Sequence, residues 1–153
     1  MPKIDVFLDS SALIAGIVSS QGAARALLLL GEDGKILLTV SEQVIAEAER
    51  NLARKAPKTL PFAREIILSA KVRILRDPAP EEVQKHLHWI GHAADVPTLV
   101  AAKQANVDFL ATLNSRHFLD NPAVSRESGV RMGTPGDALA WVREHLSQDI
   151  DNE

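Results

Sequence analysis

Four side chains in this 153-residue sequence have the type and local setting that metal or acid–base chemistry requires: Asp9, Glu47, Asp95 and Asn114. Asp9 ends the apolar run Ile4 to Leu8 and is followed by Ser10, Ser11 and then Ala12 to Ala15. A carboxylate amid that much apolar surface is costly unless it is capped, paired or bound to a cation. A helix N-cap and a metal ligand both meet that need. Glu47 lies at the edge of the stripe Val44, Ile45, Ala48 and Leu52, one turn before Asn51, whereas Glu42 and Glu49 point well away from it. An acid at such an edge either meets solvent or reaches into a crevice. Asp95 precedes Pro97, a residue suited to the first turn of a helix. Asp95 therefore reads as a cap, and a capping carboxylate keeps one oxygen free for a cation. Asn114, in "TLNSRHF", is a turn residue or an amide oxygen that orients water beside a cation. Arg116 and His117 follow one residue further on, where a basic group can meet a substrate.

The elements that must position these residues alternate between strand-like and helix-like. Strands are expected at Ile4–Leu8, Ile36–Val40, Val72–Leu75 and Phe109–Thr112, with a weak fifth at Val130–Met132. Helices are expected near Ser11, at Gly22–Leu30, Ser41–Lys55 and Pro61–Ala70, from "DPAPEE" to Trp89, from Asp95 to Ala105, and from Thr134 to Leu146. The closing "SQDIDNE" is polar enough to fray. Short apolar strands alternating with helices predict a parallel sheet covered on both faces. Ligands of such sheets gather at the C-terminal strand ends, near the point where strand order reverses. Asp9 and Thr112 both end strands. If strands one and four are neighbours, the two line one crevice.

Bulk properties narrow the function. The hydrophobic fraction of 46% supports a real core, and the absence of cysteine excludes disulfides and cysteine-ligated metal centres. The first residues lack the pattern of a signal peptide and the longest apolar run is too short to span a bilayer, so a cytoplasmic protein without a membrane role is expected. A formal net charge of −3 is unlike a non-specific nucleic-acid coat, so any nucleic-acid contact needs a local patch or a bound cation. Arg50, Arg54 and Lys55, with Lys58 and Arg64 beyond, offer one such patch or an ordinary solvated face.

Other constellations are weaker. Of His86, His88 and His92, His88 and His92 are one turn apart and could share a zinc ion, but no third ligand is obvious beside that pair, and partly exposed histidines are the better reading. Trp89 and Trp141 read as packing anchors, and Asp108, at the start of strand four, as a turn residue. There is no phosphate-binding glycine loop. A phospho-receiver domain shares the size and fold class, and Asp77 and Thr112 invite that comparison. Only Asp9 is well placed near strand one, however, and strand five offers Arg131 and Gly133 where a lysine is needed.

The blocks "VFLDSSALIAG", "SEQVIAEAERNL", "DVPTLVAAKQANVDFLAT" and "TLNSRHF", in this order, resemble those of PIN domains, the metal-dependent ribonuclease domains found in VapC-type toxins and many other prokaryotic proteins. The resemblance spans about Val6 to Phe118. It implies a three-layer α/β/α sandwich around a mostly parallel five-stranded sheet, with residues 1–147 as one domain and 148–153 as a frayed tail. It also implies that Asp9, Glu47 and Asp95 are catalytic acids and metal ligands. Asn114 falls on the fourth catalytic position, usually an aspartate, and Ser11 and Thr112 fall on small hydroxyl positions that, with Arg116, would meet substrate. Two unit charges about 4 Å apart repel by about 4 kcal/mol at an effective dielectric near 20, so three clustered carboxylates would hold a proton or a divalent cation. Hard oxygen ligands favour Mg²⁺ or Mn²⁺, and such a cation would let an acidic cleft accept RNA. The implied partners are an RNA substrate, a second copy of the chain in a homodimer, and an antitoxin protein. A catalytically weak scaffold that binds RNA or a protein partner is the alternative, and Asn114 is the residue that sustains it.

Overall fold

The computed structural model describes residues 3–151. Its elements are β1 (Asp5–Leu8), α1 (Ser10–Val18), α2 (Ala23–Glu32), β2 (Leu37–Ser41), α3 (Glu42–Lys55), α4 (Leu60–Ser69), β3 (Arg73–Leu75), α5 (Pro80–Lys85), α6 (Val96–Gln104), β4 (Phe109–Ala111), α7 (Pro122–Ser128), β5 (Met132–Gly133) and α8 (Pro135–Asp151). The strands form one sheet in the order β3-β2-β1-β4-β5, and every neighbouring pair is parallel. Helices flank this sheet, giving the expected α/β/α sandwich. The order is not the 2-1-3-4-5 order of receiver domains, which removes that alternative. Asp77 instead accepts a hydrogen bond from the Gln43 backbone N–H at 2.9 Å, at the first turn of α3.

β1 lies at the centre of the sheet, so its side chains are covered on both faces. Val6, Phe7 and Leu8 are buried, as a continuous apolar strand in a parallel sheet should be. The chain works outward from β1 to β3 and then returns to place β4 on the other side of β1. The strand order therefore reverses between β1 and β4, where Leu8 is in register with Ala111. Asp9 and Thr112 follow directly at those two strand ends.

Several expected boundaries move. The helix anticipated from "DPAPEE" to Trp89 is two pieces, α5 and a 3-10 turn at Leu87–Trp89. The last helix passes Leu146 and runs to Asp151, where the tail was expected to fray; residues 152 and 153 lie outside the described residues. β5 is Met132–Gly133 rather than Val130–Met132. α7 was not anticipated, although Asn121 accepts from the Ala123 N–H at 3.0 Å and Pro122 opens the helix. That is an ordinary helix start that the brevity of the segment conceals.

Candidate active site

Asp9 serves as the N-cap of α1. Its backbone N–H still belongs to the sheet, donating to the Ala111 carbonyl at 3.1 Å. One carboxylate oxygen accepts from the Ala12 N–H at 2.9 Å and from the Ser11 hydroxyl at 2.6 Å. The other accepts from the Thr112 hydroxyl. The cap and ligand readings of Asp9 are therefore compatible, because each oxygen has two lone pairs and the one facing Thr112 uses only one on a protein donor. Asp9 is buried, and burial is the main cause that raises its pKa. The hydrogen bonds from Ser11, Thr112 and Ala12 oppose that rise, and the nearby Asp95 charge adds to it.

Ser11 and Thr112 flank Asp9. Both hydroxyls donate to Asp9, and as acceptors Ser11 takes the Leu113 N–H at 2.9 Å and Thr112 the Asn114 N–H at 2.9 Å. The two hydroxyls lock the strand-end loops together and fix the carboxylate between them. Arg116 is exposed.

Glu47 is half-buried, as the edge of a stripe requires. Its carboxylate accepts from the Ser10 hydroxyl at 3.0 Å and from the Gln43 side-chain amide at 2.9 Å. Ser10 adjoins Asp9, and the same Gln43 nitrogen reaches the Ala94 carbonyl at 3.4 Å, beside Asp95. α3 is thereby tied to both other acid-bearing segments. Neither Ser10 nor Gln43 was singled out from the sequence, although Gln43 lies one helical turn before Glu47.

Asp95 stands at the N-cap position of α6, as expected, but is no conventional cap. Its backbone is already helical, with φ −93° and ψ −11°, and its side chain makes no capping bond. The carboxylate turns away from the helix toward two histidines, with His117 Nδ1 at 2.6 Å and His92 Nδ1 at 3.2 Å. Asn114 stands behind them. Its amide oxygen accepts from the His117 backbone N–H at 3.2 Å, capping the five-residue π turn Ser115–Leu119, and its amide nitrogen lies 3.0 Å from His117 Nδ1. Asn114 thus reaches the acids through His117. Sequence reading placed His117 near the site but missed its contact with Asp95. His92 was grouped with the wrong histidines: His86 instead stacks on Trp89, with ring centroids 3.9 Å apart.

Beside Ser10 and Ser11, a cavity of about 370 Å³ opens between α1 and α3, lined by Ile14, Val18, Asn51, Leu52 and Lys55 as well as the two serines. Hydroxyls, an amide and a cation along an apolar wall suit a segment that carries both bases and phosphates.

No curated protein sequence matches this chain. Solved structures do. One is PAE2754 from Pyrobaculum aerophilum, 17% identical, TM-score 0.64, over 92% of this chain and 96% of that one. Another is VapBC2 from Rickettsia felis, bound to a DNA fragment from its promoter, 19% identical, TM-score 0.61, over 86% and 98%. A third is the sarcin-ricin loop cleaving toxin VapC20 of Mycobacterium tuberculosis, 16% identical, TM-score 0.56, over 72% and 91%. At these identities the likeness is one of fold. The family sequence model described as PIN domain matches residues 5–116, a stretch that begins with β1 and ends just beyond Asn114, so the chain belongs to the PIN-domain family.

Proposed function

We propose that this protein is a divalent-metal-dependent ribonuclease of the toxin-like PIN class, with Asp9, Glu47 and Asp95 as metal ligands and catalytic acids. The observation that carries the reading is Asp9: a buried carboxylate, held from three sides, with a second acid close enough to raise its pKa. A fold rarely keeps two such acids together without a proton or a cation between them. The donor set fits Mg²⁺ or Mn²⁺, because Asp9 and Glu47 offer hard oxygens that retain free lone pairs. When bound, the cation would supply Lewis-acid polarisation of a phosphodiester and neutralise the acids that face it.

The chain's own residues do the rest. Thr112 and Ser11 keep Asp9 in one rotamer, and Gln43 and Ser10 do the same for Glu47. His117, braced by Asn114, holds Asp95. Lys55 and Asn51 line the adjoining groove, where RNA phosphates and bases would lie, and Arg116 would meet the strand beyond the scissile bond. Partner binding is proposed at a separate face. Leu29 and Phe62 are exposed on α2 and α4 and line a groove with Arg25 and Glu65. That mixture suits a second copy of the chain or an apolar, charged antitoxin segment. Among the described residues, no single helix is long and apolar enough to cross a membrane.

Cleavage of single-stranded RNA by the purified chain tests the proposal. Activity should need Mg²⁺ or Mn²⁺, vanish with chelator, and be lost in Asp9→Asn. Metal-dependent RNA binding without cleavage would favour the scaffold reading.

A further inference from the structure

Two histidines converge on Asp95 from separate loops. His92 precedes the 3-10 turn Ala93–Asp95 that leads into α6, and His117 sits in the π turn after β4. One ring nitrogen of each and one Asp95 oxygen all lie within 4.8 Å of one another. The His92 separation of 3.2 Å is near the roughly 3.3 Å between neighbouring donors around a tetrahedral ion with bonds of about 2.0 Å, whereas the His117 separation of 2.6 Å is a hydrogen-bond contact that a bound ion would open. The imidazole rings stack at 4.2 Å with 14° between their planes, and two parallel rings cannot both aim a lone pair at one ion. One ring must therefore turn. The His92 side chain is 54% exposed and free to do so, whereas that of His117 is 29% exposed and braced by Asn114.

We propose that His92, Asp95 and His117 form a separate site for a late first-row cation such as Zn²⁺ or Co²⁺. Imidazole nitrogen favours those ions over Mg²⁺, which prefers oxygen and keeps its water. The site differs in chemistry from the oxygen donors of Asp9 and Glu47 and shares only Asp95 with them. It goes beyond the nuclease reading, since it stands whether or not the chain cleaves RNA.

The test is a Co²⁺ titration of the metal-stripped full chain in excess Mg²⁺, read by the visible absorption of the bound cobalt and by Zn²⁺ competition. The wild type should give a saturable cobalt spectrum that Zn²⁺ abolishes and Mg²⁺ does not. His92→Gln and His117→Gln should each weaken Co²⁺ binding about tenfold or more, and Asp9→Asn by less than about threefold. Equal affinity in the wild type and His92→Gln, whose exposed position leaves folding untouched, would overturn the proposal. A loss in Asp9→Asn as large as in the histidine variants would also overturn it, because the ion would then belong to one acidic site.

Discussion

The position of Asp9 sets function against stability. Its pKa is raised in the folded state, first by burial and further by Asp95, against the hydrogen bonds from Ser11, Thr112 and Ala12. The folded protein therefore keeps a proton over a pH range in which the unfolded chain has lost it. The group's contribution to stability is most favourable below the ordinary value of 3.8 and is lost as pH rises through the higher folded value. Asp5 shifts in the same direction, mainly through burial and despite its bonds to Thr39 and Arg73. Asp9→Asn, nearly isosteric and uncharged, should thus raise the Tm of the metal-free protein at pH 7, with a gain that shrinks toward pH 3.8. Thermal scans across that range check this, and a variant less stable than the wild type at every pH would refute it. Thr112→Val should weaken Mg²⁺ or Mn²⁺ binding by about 1–3 kcal/mol, because it removes a hydrogen bond that orients a buried carboxylate. Calorimetric titration of the two proteins measures the difference. Asn114→Asp adds a negative charge beside His117 and near the proposed metal cluster, so it should tighten Mn²⁺ binding by a similar amount. Equal affinity in that titration would place Asn114 outside the cation's reach.

Among the elements, the contact between α1 and α2 is tight because Gly16 lets it be. A Cβ at Gly16 would stand 2.6 Å from Leu28 Cδ1 and 3.2 Å from the Ala24 carbonyl oxygen. Gly16→Ala should cost about 1–3 kcal/mol of stability as the helices shift apart, read by urea denaturation. The loss of activity should exceed the loss of folded protein, since α1 begins at Asp9. Much of this layer was legible in the sequence. Val6, Phe7 and Leu8 declare a buried central strand, and the stripe on α3 puts Glu47 at its edge. The parts that were not legible depend on contacts made after folding. Asp95 has every local sign of a cap, yet it faces His92 and His117, which only the packing of two loops brings near. The hydroxyls of Ser11 and Thr112 lie in separate segments, and nothing local reveals that both turn to Asp9. α7 was hidden by its length, because a two-turn helix shows no periodicity.

For the molecule as a whole, the net charge of −3 leaves attraction for RNA to local features. Lys55 beside the α1–α3 groove is one of them. Lys55→Ala should raise KM for RNA severalfold with little change in kcat, and it should lower the salt dependence of binding. α2 and α4 carry exposed apolar residues, Leu29, Phe62 and Leu68, with Leu68 78% exposed. Concentration-dependent sedimentation should show self-association that Phe62→Ser weakens; a monomer at every concentration would leave that face to another partner. The central claim is that the crevice between β1 and β4 is a metal-dependent ribonuclease site. Its most direct test is RNA cleavage by the metal-stripped protein and its Asp9→Asn variant, each with and without added Mn²⁺. The account predicts cleavage by the wild type with Mn²⁺ alone, and none by the folded variant under either condition. Equal cleavage by both proteins, or cleavage by the wild type that persists in chelator, would contradict it.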